Sequence, residues 1–223
     1  MDKQPPLVLD SQEIFEIIKK EKTLKDSYIS IVNSSFEVDV CLTKEHKVTI
    51  HKILAQLSKL LESANIKYWI DWGTFLGAYR DNSIIPWDKD FDLGMLSKDK
   101  KAFYEILKQV SDLYIKEEES HFLNFSSKEI PEGWLDIYFY DKTEDEDGTY
   151  IQAPHSNARD YKHYENRDSI KFSDLSDLIM PCPSLQSAPQ LLSFLYGKDF
   201  MNPPGNPLVD NKGVLWVKNL GGR

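Results

Sequence analysis

The chain has 223 residues, 41% of them hydrophobic, which is long and apolar enough to bury a core without metal or disulfide staples. Its 27 basic and 36 acidic residues leave a net charge of −9, the wrong field for a phosphate-lined partner, so a role in binding nucleic acid or an anionic membrane surface is excluded. Two cysteines, Cys41 and Cys182, argue against a secreted disulfide scaffold and exclude a four-cysteine zinc site. No run approaches the ~18 consecutive apolar residues of a membrane-spanning helix, and the opening residues show no apolar stretch behind a basic segment. A cytoplasmic protein without an integral membrane segment is therefore expected.

In chain order, residues 1–9 read as a tail, because Pro5 and Pro6 interrupt regular structure. Ile14, Phe15, Ile17 and Ile18 predict a short helix capped by Asp10 or Ser11, and residues 28–42 alternate weakly enough to fit either a strand or irregular structure. Residues 1–44 are accordingly assigned to an N-terminal extension and 45–223 to the main domain. Ile50, Ile53, Leu54, Leu57, Leu60, Leu61 and Ala64 recur at three- and four-residue steps and predict a helix over 43–64, stopped by Asn65. Buried strands follow at 67–71 and 91–96. Ser97 is placed to cap a helix reaching about residue 112, with Phe103, Ile106, Leu107 and Val110 inward.

Further strands are predicted at 121–125 and 134–140. The run from Asp141 to Gly148 is too charged to bury and reads as a solvated hairpin loop. Residues 150–185 read as irregular, and a last helix over 188–196 ends at Gly197. Alternating helices and strands define an α/β or α+β class around one sheet.

Chemistry concentrates between residues 71 and 94. A strand running into Gly73-Thr74 and then into a helical segment brings together backbone amides, a hydroxyl donor and the positive end of a helix. That combination suits a phosphate, although a strand-to-helix turn of this kind also occurs for structural reasons alone. Asp90 and Asp92 lie two apart, so on a strand both carboxylates share a face while Phe91 and Leu93 point into the core. Like charges this close repel unless a cation sits between them, and hard oxygen donors suit Mg²⁺ or Mn²⁺. Asp136 stands inside an apolar strand and needs a partner, either the same metal or a cation such as Arg80 or a lysine. Asp88, Asp90 and Asp92 mimic the opening of an EF-hand loop, but Leu93 and Asp99 occupy the positions where that loop needs glycine and glutamate.

The whole pattern, Gly73-Thr74-Phe75-Leu76-Gly77 with Arg80, then Ile85-Pro86-Trp87-Asp88-Lys89-Asp90-Phe91-Asp92-Leu93-Gly94, resembles the LicD family, which includes fukutin and fukutin-related protein. The resemblance continues at Leu135-Asp136-Ile137 and in the closing segment from Tyr196 to Pro204; Lys89 stands where bacterial members often carry another aspartate. It implies a nucleotidyltransferase-like fold, a small mixed sheet flanked by helices. It also implies a metal-dependent transfer of a phospho-alcohol group, phosphocholine or ribitol phosphate, from a CDP-linked donor to a glycan hydroxyl.

On that basis Asp90 and Asp92 are expected to hold the metal, with Asp136 as a further ligand or as base for the acceptor hydroxyl. Asp88 is expected to support the site or to cap its loop. Gly73 and Thr74 are expected to contact donor phosphate, and Arg80 to reach a phosphate or pair with one of the aspartates. Arg159, Lys162, His163, Arg167 and Lys171, set among Tyr150, Tyr161 and Tyr164, read as a solvated loop or as a second site for an anion or a ring. Trp72, Trp87, Trp134 and Tyr138 could frame choline by cation–π attraction, with the core as the plainer place for Trp87 and Trp134. Transfer of a whole NMP onto a small molecule or protein, and an inactive binding module, are the competing functions.

Overall fold

The structure is a computed structural model and describes residues 42–85, 88–154 and 156–201. Leu42–Gly197 form one unit, which carries every element below; the helix and strand expected before residue 42 lie outside the described residues, as does Trp87.

Helix α1 (Lys44–Ser63) forms where the apolar periodicity predicts it. The Thr43 hydroxyl accepts from the His46 N–H, the His46 ring accepts from the Thr43 N–H, and Ile50, Ile53, Leu54, Leu57 and Leu61 make the buried stripe. Asn65, at φ 53°, turns the chain out of the helix into strand β1 (Tyr68–Ile70). Helix α2 (Trp72–Asp81) starts at once, capped by Asp71. Strand β2 (Phe91–Leu96) is buried along its whole length. A 3₁₀ turn over Ser97–Asp99 leads into helix α3 (Lys100–Leu107), which ends five residues before the expected stop at 112.

Strands β3 (Tyr114–Glu118), β4 (Phe122–Ser126), β5 (Leu135–Asp145), β6 (Gly148–Gln152) and β7 (Arg159–Asp160) complete a seven-stranded sheet. Its main path runs β1-β2-β5-β4-β3; β6 extends from β5 and carries β7. Only β2 and β5 pair in parallel, so this is a mixed α/β sheet. A short helix α4 (Lys162–Glu165), a separate hairpin of β8 (Asp168–Phe172) and β9 (Leu178–Cys182), and helix α5 (Ala188–Tyr196) follow.

Three expectations change. The charged run from Asp141 is not a loop: β5 continues through Asp145, and only Glu146 and Asp147 form the turn. Pairing with β6 satisfies the backbone there while the charged side chains stay exposed, so a strand needs no burial. Residues 150–185 are ordered into β6 to β9 rather than irregular. Strand β3 was not anticipated, because all five of its residues are exposed at the sheet edge and carry no alternation to read.

The sheet's two faces divide the work. On one, Phe103 of α3 meets Phe125 and Phe139 edge-on, at centroid distances of 6.3 and 5.9 Å. Its fully buried ring is worth about 1.5–3 kcal/mol of apolar burial. The other face receives the alternate residues Asp136, Tyr138 and Tyr140 of β5. Opposite Gly94, Trp69 of β1 lies so close that any Cβ would run into its indole, which explains the glycine in β2.

Candidate active site

Parallel pairing of β2 with β5 sets Asp92 directly opposite Asp136, and residues in register on adjacent strands share a face. Both carboxylates are buried, at 5% and 3% exposure. Asp88 and Asp90 lie on the segment leading into β2, close enough that their charges act on Asp92. The structure thus brings together all four acidic residues singled out in the sequence.

Each is held by identifiable neighbours. The Asp92 N–H donates to Thr74 Oγ1 at 2.7 Å, and Asp92 Oδ2 accepts from the Thr74 hydroxyl and N–H, each at 3.4 Å. The Thr74 hydroxyl is therefore engaged with Asp92. Gly73, one residue earlier, backs onto the cluster: a Cβ there would stand 2.8 Å from Asp88 Oδ2 and 3.7 Å from Asp92 Oδ2. Asp136 Oδ1 accepts from Asn124 Nδ2 at 2.6 Å and Oδ2 from the Tyr138 hydroxyl at 3.4 Å.

Electrostatically the acids of the cluster act on one another. Burial, and then the charges of Asp90, Asp88, Asp136 and Asp71, push Asp92 well above the ordinary carboxylate range. Burial, then Asp90, does the same to Asp88. Among the described residues no three acidic, histidine or cysteine side chains form a ready metal-holding group. The donor chemistry nonetheless fits a hard divalent cation: two buried carboxylates side by side, both neighbours acidic, and a glycine leaving clearance in front of them.

Arg80 sits in the last turn of α2, where its Nε donates to Asp81 Oδ2 at 2.8 Å. The cation that enters the corner is instead Arg159. The solvated loop expected around it is corrected: Arg159 lies on β7 at 2% exposure, with Nη1 2.7 Å from Asp71 Oδ1 and 3.0 Å from the Tyr164 hydroxyl. Asp71 also accepts from the Tyr140 hydroxyl at 2.6 Å and, as helix cap, from the Trp72 N–H at 2.9 Å. Burial opposes the Arg159 charge, but Asp71 with Tyr140 and Tyr164 outweighs it and holds the guanidinium firmly protonated. At the end of α5, Tyr196 comes within electrostatic reach of Asp92, Asp71 and Asp88. Sequence reading gave no role to Asp71, Asn124 or Tyr140, and set Arg159 among the basic residues of a polar stretch. Of these only Asp71 left a local signal, an acidic residue immediately before a helix.

A sheet with paired acidic strands and a Gly-Thr helix start defines the class, and comparison with known proteins names it. Residues 65–184, more than half of the chain, match the family described as LicD/FKTN/FKRP, nucleotidyltransferase domain, and the chain belongs to that family. An uncharacterized protein of Rickettsia typhi is 33% identical over 106 residues, covering 47% of this chain and 32% of that one. The ribitol-5-phosphate transferase FKTN of Homo sapiens is 28% identical over 160 residues, covering 68% of this chain and 33% of FKTN. The chain thus matches about a third of the length of these curated relatives. Among solved structures, the lincomycin-bound lincosamide antibiotic adenylyltransferase LnuA aligns with a TM-score of 0.44 at 16% identity, covering 67% of this chain and 94% of LnuA. No helix among the described residues is long and apolar enough to cross a membrane.

Proposed function

We propose that the protein is a metal-dependent phosphotransferase that moves a phospho-alcohol group from a CDP-linked donor to a glycan hydroxyl and releases CMP. The observation that carries this reading is the register of β2 and β5, which sets Asp92 and Asp136 side by side on one face behind the Gly73-Thr74 turn. Family membership and the activity in FKTN's name support the choice of transferred group.

In this reading the acceptor oxygen attacks the phosphorus that bears the alcohol. A new P–O bond forms, the bond to the bridging oxygen breaks, and CMP leaves with that oxygen; the hydroxyl proton passes to a carboxylate or to water. Asp92, Asp90 and Asp136 would hold Mg²⁺ or Mn²⁺, with Asp88 against them, and a cation bound there would neutralise charge on the diphosphate and on the departing CMP. Thr74 holds Asp92 in place, and Gly73 keeps the space before the carboxylates clear. The α2 N-terminus adds partial positive charge where the donor phosphates would lie. Asp136 serves as ligand or as base, and Mn²⁺ binding to Asp136→Asn distinguishes the two, since a ligand's loss weakens the metal far more than the loss of a nearby charge.

The test is a thermal-shift screen with CDP-ribitol, CDP-choline and CDP-glycerol, with and without Mg²⁺, followed by product analysis. One donor should stabilise the protein only with metal, because a ligand bound to the native state alone raises apparent stability. That shift should vanish in Asp90→Ala and Asp92→Ala, and turnover with an acceptor should yield CMP. Release of diphosphate from a nucleoside triphosphate would replace this reading with NMP transfer. Binding without turnover under any pairing would point to an inactive module.

A further inference from the structure

Arg159 is almost wholly buried, yet among the described residues only one of its guanidinium nitrogens is hydrogen-bonded. Nη1 serves both Asp71 and Tyr164, whereas Nε and Nη2 are buried without a hydrogen-bond partner among the described residues. Buried donors left unsatisfied on a charged group weigh against stability, and replacing a whole buried ion pair by apolar side chains of similar volume is often neutral or stabilising. Stability alone does not account for this arginine. Its unpaired nitrogens are also closed off from solvent, so they do not present themselves to a substrate anion.

What distinguishes Arg159 is what it touches. Asp71 is the residue from which the site's first turn is hung. Its carboxylate caps α2 at Trp72, its N–H donates to the Asp92 carbonyl at 3.0 Å, and its carbonyl accepts from the Phe75 N–H at 2.9 Å. Arg159 holds that carboxylate in place. Its guanidinium also lies 4.0 Å from the centroid of the Trp72 ring, a stacked cation–π contact. Trp72 itself has φ 38°, a left-handed conformation that a bulky residue keeps only when its surroundings hold it. Gly73 and Thr74, which abut Asp88 and Asp92, are the next two residues. Arg159 therefore grips the chain on both sides of the Asp71–Trp72 peptide, immediately before the turn that supports the carboxylates.

We propose that Arg159 is a positioning residue for the transfer reaction: through Asp71 and the stacked Trp72 it sets the first turn of α2, so that Gly73 and Thr74 stand where they support Asp88 and Asp92. The kinetic part rests on the phosphotransferase reading; the structural part rests on the contacts alone.

The experiment uses the full chain and three variants. Arg159→Met keeps the length of the side chain without its charge, Arg159→Lys keeps the charge without the planar stack, and Tyr140→Phe removes one donor to Asp71. Amide hydrogen exchange in Arg159→Met should quicken at least about tenfold in peptides covering residues 71–76 and 91–93, with α1 and α3 unchanged. In turnover assays kcat should fall about 10- to 100-fold while KM for donor and acceptor changes less than about twofold, as expected for misplaced catalytic groups. Arg159→Lys should recover part of both effects. Should Arg159→Met fail to fold, Arg159→Lys and Tyr140→Phe must show the same local pattern at smaller size. Exchange that quickens alike in all elements, or stays at the wild-type rate over 71–76, overturns the proposal. If the wild-type chain turns over no CDP-alcohol, the phosphotransferase reading fails by itself and the exchange map still decides the place of Arg159.

Discussion

Asp71 and Asp92 are both buried aspartates, joined by the hydrogen bond from the Asp71 N–H to the Asp92 carbonyl, yet their surroundings differ. Asp71 is met by a guanidinium, a phenol hydroxyl and a helix N–H. Asp92 is met by a threonine hydroxyl and N–H, and by the charges of Asp88, Asp90 and Asp136. Burial makes an aspartate expensive in either place; what compensates it decides its role. The acid beside Arg159 holds a fold corner, and in the proposed reading the acids facing one another receive a cation.

The largest effect is expected at Asp71. Asp71→Ala leaves Arg159 buried and unpaired and should lower unfolding free energy by about 3–5 kcal/mol, read from urea titration; stability within experimental error of wild type would mean the pair is not the anchor. Asp92→Asn should do the reverse. It removes a repelled charge, so the melting temperature should hold or rise, while transfer slows about 100-fold or more, roughly 2.7 kcal/mol of barrier. A parallel loss of stability and rate would make Asp92 a structural acid like Asp71.

Gly73→Ala tests the contact between the helix start and the acidic face. Its Cβ would stand 2.8 Å from Asp88 Oδ2, and relieving that clash should take about 1–3 kcal/mol and slow turnover. Wild-type stability and rate in this variant would show that Asp88 moves aside freely.

The most gradual effect is in pH dependence. Asp92 and Asp88 hold protons more tightly in the folded than in the unfolded chain. The stability this confers is complete below the ordinary carboxylate pKa of about 4 and is lost as pH rises through their elevated native values. With chelator present, the gap in unfolding free energy between wild type and Asp92→Asn, read from urea titration, should therefore widen in the variant's favour as pH increases, at a slope up to about 1.4 kcal/mol per pH unit for the one group removed. Saturating Mg²⁺ should close the gap, whereas a gap independent of both pH and Mg²⁺ would mean that repulsion among the acids does not act on Asp92.

Legibility followed the range of the interaction. Helix α1 was readable because its buried stripe repeats every three or four residues and its cap lies within the same turn. The four site aspartates were readable because three sit within five residues and the fourth interrupts an apolar strand. Strand β3 and the outer half of β5 were not, since exposed charged residues carry no alternation and are ordered by pairing with a neighbouring strand. Arg159 looked like one basic residue among five in a polar stretch.

By itself, then, the sequence determined the helix-and-strand alternation, the Gly73-Thr74 turn and the identity of the acidic residues, because each rests on spacing within a few residues or on a short motif. Only the tertiary structure decided which strand lies beside β2, and hence that Asp136 faces Asp92. It alone also decided that Arg159 crosses 88 positions of sequence to hold Asp71. Both outcomes depend on sheet register and on desolvation, which come into being only when distant segments pack together.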